Sequence, residues 1–292
     1  MKTSGLTLAV TFAALITTST FAADAPKAAG TGASFKGPLG LQLWSLREEF
    51  KKDVPAALDK VHALGFRCVE LAGLYGKPAG ELKAMLESRG LKAVAGHIAY
   101  DRLRDDLEGV AKEAKELGLE YIGTAWITHK GAFTEAAAHE AAKFFNRAGE
   151  ILAKQGVKLY YHNHGYEFEP HGGGTLFDLL MQETKPEFVS FEMDVTWVVF
   201  PGQDPVKLLQ KYSGRWALVH IKDLKRGVET GSLAGKTDTQ NDVVVGTGQT
   251  DWPVVLKAAK KAGVKYYFIE DESPTALEQI PQSLKYLEQV KF

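Results

Sequence analysis

Four short runs place ionisable side chains two residues apart: His162-Asn163-His164, Glu192-Met193-Asp194, His220-Ile221-Lys222 and Glu270-Asp271-Glu272. In an extended strand residues i and i+2 face the same side, so each run puts a pair of such groups on one face. Glu70 and His97 end two earlier apolar runs, and Gln42, Trp44, Trp126 and Trp197 lie near the ends of others. Buried charges without partners are costly. Imidazoles and carboxylates gathered on one face therefore imply ion pairing, a metal ion or both. Mixed nitrogen and oxygen donors suit Mn, Co, Zn, Fe or Mg, and imidazole favours the transition metals.

Each residue alone has an ordinary explanation. A strand-end histidine is more often hydrogen bonded than ligating. Glu70 has Arg67 and Arg102 as salt-bridge candidates, Lys222 has Asp223 beside it, and tryptophans usually pack cores. What raises these residues above that reading is their shared place in a repeated unit. Cys68 is the only cysteine; its neighbours spell a strand, so it is expected to be a packed, unreactive thiol.

The unit is an amphipathic helical run, a glycine, then a short apolar strand. The glycines are Gly65, Gly90, Gly118, Gly156, Gly214 and Gly263, followed by strands at Cys68–Leu71, Ala93–His97, Tyr121–Gly123, Leu159–His162, Ala217–His220 and Tyr266–Glu270. Glycine accepts the left-handed conformation that ends a helix, and the chain then turns directly into a strand. Strands at Leu39–Trp44 and Phe188–Met193 complete a set of eight. Short apolar strands alternating with helices imply parallel pairing through helical crossovers. The count is that of a single (β/α)8 TIM barrel over residues 37–292. A doubly wound open sheet is less suited, because no G-x-G-x-x-G opens a helix. The polar, Gly-rich stretch Lys225–Thr250 reads as a loop on the active-site face, and Asp251-Trp252-Pro253 as the next helix start.

Residues 1–22 read as a secretory signal: Lys2, an apolar run Leu6–Ile16, then Thr20-Phe21-Ala22 as the cleavage site. Residues 23–36 read as a disordered leader. The expected protein is exported, periplasmic or secreted, with no membrane segment in its mature form. A formal net charge of −1 offers no global basic field for nucleic acid. Composition leaves homo-oligomerisation open.

The segments Tyr161–Phe168, Glu192–Trp197, His220–Asp223, Gly246–Trp252 and Ile269-Glu270, in that order, make the chain resemble the xylose-isomerase-like TIM-barrel superfamily, in particular its sugar phosphate isomerase/epimerase group. The resemblance implies one divalent metal ion held by His162, Asp194, His220 and Glu270. Many relatives carry Glu where His162 stands, so His164, or Glu167 reaching in from the loop, is the alternative ligand there. Trp197 stands where several epimerases carry histidine.

The chemistry expected of such a site is proton abstraction next to a carbonyl. Glu270 or His164 is the candidate base, and Lys222 or Glu70 the group that positions or protonates the oxygen. Gln42, Trp44, His97, Trp126, Glu192 and Trp197 are the candidates for binding a small-molecule carbohydrate. Sugar phosphates are rare outside the cytoplasm, so export points to a non-phosphorylated keto-sugar. The expected reactions are isomerisation or epimerisation, with β-elimination from a 3-keto-glycoside by a lyase or dehydratase as the alternative. Two rivals are a metal-dependent phosphodiesterase, which the charge argues against, and a sugar-binding barrel without turnover.

Overall fold

The glycines that close the expected helices do so as the repeat requires. All six have positive φ, and Gly118 and Gly263 cap their helices at φ 75° and 88°. The structure, a computed structural model, describes Met1, Ser34, Phe35 and residues 39–292. Apart from those three residues, the segment read as export signal and leader lies outside the described residues.

The strands are β1 (Leu39–Gln42), β2 (Cys68–Leu71), β3 (Lys92–His97), β4 (Tyr121–Thr124), β5 (Lys158–His162), β6 (Val189–Asp194), β7 (Trp216–Ile221) and β8 (Tyr266–Ile269). They pair in sequence order, all parallel, and β8 returns to β1 to close the barrel. Two small antiparallel hairpins lie outside it, Pro170–His171 with Gly174–Thr175 and Asp223–Leu224 with Asp242–Val243. Among the described residues no helix is long and apolar enough to cross a membrane.

β1 ends two residues earlier than the sequence suggests. The Gln42 side chain accepts a hydrogen bond from Trp44 N at 3.1 Å, and Leu43–Leu46 coil into a 3-10 turn. Trp44 therefore leaves the ladder for the rim. The helix start at Asp251 is as expected: its carboxylate accepts from Val254 N, with Pro253 in the first turn.

Two apolar cores follow from strand alternation. One face of each strand meets the helices, where Leu41, Val69, Leu159, Phe191, Val219 and Ile269 are buried. The other face fills the barrel interior with a separate cluster that includes Cys68, Ala95, Tyr121, Tyr160, Leu218 and Phe268. Layered side chains make this a packed core rather than a pore. Gly40 is needed here, because a Cβ on it would stand 2.6 Å from the Phe268 ring. Cys68 is buried in this cluster, and burial pushes its thiol up to about 12, as suits an inert packing residue.

Candidate active site and metal centre

The register lifts the polar residues above that core. Counting two residues on from the interior cluster gives Glu70 from Cys68, His97 from Ala95, His162 from Tyr160, His220 from Leu218 and Glu270 from Phe268. Parallel pairing sets Asp194 beside His220 and His162 beside Glu192. One donor atom each from His162, Asp194, His220 and Glu270 lies within 4.8 Å of the others, and all four residues are buried. These are the four residues that the resemblance implied.

The internal distances decide what this group is for. His162 Nε2 lies 3.1 Å from His220 Nδ1, and Glu270 Oε2 lies 3.2 Å from the same Nδ1. Asp194 Oδ1 accepts from Trp197 N at 2.9 Å. Its Oδ2 has no hydrogen-bond partner and lies 3.6 Å from both His162 Nε2 and His220 Nδ1. A buried carboxylate oxygen equidistant from two imidazole nitrogens, and too far to bond either, is an unfilled acceptor. Co-ligands of an ion with bonds of about 2.1 Å stand roughly 3–3.5 Å apart, so the donor set fits a divalent cation.

Electrostatics point the same way. Burial pushes the Asp194 and Glu270 carboxyls up, but the Lys222 charge and the His220 imidazole, joined at Asp194 by His162, together outweigh it and hold both well below the usual carboxylate range. Lys222, itself buried, donates to Glu272 and, at 3.4 Å, to Glu270, and lies 3.6 Å from Asp242. Against the penalty of burial these carboxylates hold its ammonium protonated. The adjacent Asp223 is not its partner. Asp223 instead accepts from Gly246 N, Gly248 N and Thr250 N and pins the long loop.

Glu70, Gln42 and Glu192 form a tier beneath the donors. All three are fully buried, and none lines the cavity above. Glu70 Oε2 accepts from His220 Nε2–H at 2.6 Å and from Gln42 Nε2 at 2.7 Å, and its Oε1 accepts from the Tyr160 hydroxyl. Glu192 Oε2 accepts from His97 Nε2 at 3.0 Å. Burial raises the Glu192 carboxyl, but the His220 and His97 imidazoles prevail and bring it to about 2. Glu70, a candidate acid or positioner, and Gln42 and Glu192, candidates for sugar contact, are thus placed out of reach of a molecule in the cavity. Arg102 pairs with Glu113 at 2.7 Å, not with Glu70.

The alternatives on β5 part company. Glu167 is buried and turned away, accepting from the Tyr161 hydroxyl and from His164 N at 2.9 Å. His164 packs 5.3 Å from the Trp197 and Trp126 rings, and its Nδ1 has no partner. Burial, reinforced by His162, drives its pKa well below the ordinary value, so the imidazole is neutral.

Above the donors opens a cavity of about 690 Å³ lined by, among others, Trp44, His97, Trp126, His162, His164, Trp197, Lys222 and Glu270. Three participants escaped sequence reading. Asn163 Oδ1 accepts from Asp194 N at 3.1 Å, Tyr160 reaches Glu70 from the apolar core, and Asp242 arrives from the long loop. Asn163 was visible inside the His-Asn-His run, whereas nothing local marks Asp242.

Known proteins add to the geometry. The chain matches inosose dehydratase from Geobacillus thermodenitrificans at 26% identity over 252 residues, covering 76% of this chain and 83% of that protein. Inosose dehydratase 2 from Bacillus cereus matches at 32% over 188 residues, 56% of this chain, which spans only 61% of that protein's length. A sugar phosphate isomerase/epimerase structure from Parabacteroides distasonis ATCC 8503 superposes with TM-score 0.73 at 26% identity, over 87% of this chain and all of that one. These relatives are enzymes. The family model described as xylose isomerase-like TIM barrel matches residues 58–290, so the chain belongs to that family.

Proposed function

We propose that this protein is a metal-dependent enzyme that removes a proton next to the carbonyl of a non-phosphorylated keto-sugar. The observation that carries the reading is the buried quartet His162, Asp194, His220 and Glu270, with its unfilled Asp194 Oδ2, at the floor of an indole-walled cavity. Two nitrogens and two carboxylates favour Zn, Mn, Co or Fe over Mg. What such an ion supplies there is positive charge beside the oxyanion that develops on the carbonyl oxygen.

The chain's own groups divide the remaining work. His164, neutral and on the cavity wall, accepts the proton from the carbon next to the carbonyl. Lys222 is locked in its charged form, so it acts as a hydrogen-bond donor that steadies the substrate oxygen rather than as a base. Trp197, which packs against both, keeps water from this corner.

With one neutral base and one fixed cation, the imidazole that takes the proton is also the group that returns it. Returned to a β-hydroxyl, it releases water and leaves an unsaturated ketone. Returned to the former carbonyl carbon, it gives isomerisation; epimerisation needs a second proton donor on the opposite face. The dehydratase names of the relatives support elimination, and the Parabacteroides structure supports the isomerase outcome of the same first step. Among the described residues the cavity lining contains no arginine, so it offers no bidentate guanidinium clamp for a phosphate. With residues 1–22 read as an export signal, the enzyme works in the periplasm or beyond.

The test is hydrogen exchange. Metal-loaded protein incubated with a panel of keto-sugars in deuterated water should exchange the proton next to the carbonyl, or release water, with at least one of them. Loss of that exchange in His164→Ala would locate the base. No exchange with any member of the panel sinks the proposal.

A further inference from the structure

Of the five tryptophans, Trp197, Trp216 and Trp252 are buried, whereas Trp44 and Trp126 are 43% and 41% exposed. Both exposed rings stand on the rim of the same cavity. An indole left open to water forgoes the free energy of burial, and two at one mouth form a patch of the kind that marks a binding surface.

Neither ring is loose. Trp44 Nε1–H donates to Glu272 Oε2 at 3.0 Å, and the Arg47 guanidinium lies 5.4 Å from its ring centroid. Trp126 stacks on His129 at 5.4 Å and meets the edge of Tyr166 at 4.5 Å. The long loop presses on it so closely that a Cβ on Gly235 would stand 2.4 Å from its Cζ3. These are surfaces fixed before any ligand arrives.

Size gives the second argument. A six-carbon sugar ring displaces on the order of 200 Å³, against a usual pocket range of roughly 300–1,000 Å³ for larger ligands. The cavity holds about 690 Å³. One ring on the charged floor leaves room for another at the rim. There the loop contributes Lys236, Thr237 and Thr239, donors and acceptors suited to sugar hydroxyls.

We propose that the rim is a second sugar subsite, so that the substrate is a glycoside: its keto-ring lies on the floor and a second pyranose stacks through its C–H face on Trp126 and Trp44. This rests on the keto-sugar reading of the floor, but its test is independent of turnover. Metal-loaded protein is titrated calorimetrically with maltose, cellobiose and sucrose, beside glucose as the single-ring reference. At least one disaccharide should bind tenfold or more tighter than glucose. Trp126→Ala should erase that advantage, as should Trp44→Ala, with metal content unchanged in both and circular dichroism confirming the fold. Equal affinity for one and two rings, no disaccharide binding, or an advantage that survives in both folded variants would overturn the subsite. Hydrogen exchange on keto-sugars decides the floor chemistry separately.

Discussion

The two halves of the barrel interior are built on the same strands, two residues apart, and have opposite characters. Toward the bottom lie Cys68, Tyr121, Tyr160, Leu218 and Phe268, an apolar plug with its own close contacts. Toward the mouth lie Glu70, His162, His220 and Glu270, whose charges are buried at the cost of their hydration. The plug carries no buried charge to compensate and offers no chemistry. The mouth holds carboxylates and imidazoles, the donor set proposed to bind a divalent ion. Tyr160 joins the two, with its ring in the plug and its hydroxyl on Glu70. Fold and function are thus separable along each strand, and substitutions should separate them.

The largest effect is expected at Lys222. Lys222→Met removes the ammonium proposed to steady the substrate oxygen and should lower kcat by about 10²–10³-fold, in the range of lost electrostatic stabilisers. The ion should remain bound, as elemental analysis of the variant would show. Phe268→Ala is the mirror experiment. It should cost about 3–5 kcal/mol in urea denaturation, while the folded fraction keeps its metal. A Phe268 variant that folds normally but loses metal would break the division between the halves.

Glu167 gives a pH signature. Burial raises its carboxyl to about 7, against hydrogen bonds from Tyr161 and His164 N–H that pull it down. The folded state therefore binds a proton that the unfolded chain releases near the ordinary carboxyl value. This stability is fully present below that value and is lost as pH rises through about 7. Glu167 should contribute a fall of roughly 3 kcal/mol across this window. Between pH 5 and pH 8, Glu167→Gln should therefore lose less stability than the wild type by about that amount, as denaturation at the two pH values would reveal. The smallest effect belongs to the tier below the donors. Glu70→Gln weakens the hold on His220 Nε2–H and should cost about 10–100-fold in metal affinity, measured by chelator competition.

Much of this was legible in the sequence, for physical reasons. A glycine before six of the strands and a period of two in each strand are local signals, so the strands and the paired faces His162/His164, Glu192/Asp194, His220/Lys222 and Glu270/Glu272 could be read directly, whereas the resemblance singled out His162, Asp194, His220 and Glu270. What could not be read depends on depth and on long-range return of the chain. Gln42 and Glu192 obey the same alternation as the cavity residues but sit one layer lower, out of reach of a ligand. Asp242 reaches Lys222 only because Asp223 gathers the amides of Gly246, Gly248 and Thr250 and folds the loop back. Trp44 reached the rim through a side-chain cap on Gln42 that strand propensity does not foretell.

The most direct test is the metal content of the protein and of Asp194→Ala, measured with their thermal stability. The account predicts about one Zn, Mn, Co or Fe per wild-type chain, none in the variant, and a variant that still unfolds cooperatively. A wild-type protein that takes up no divalent ion on titration, or an Asp194→Ala variant that binds it as tightly, would contradict it.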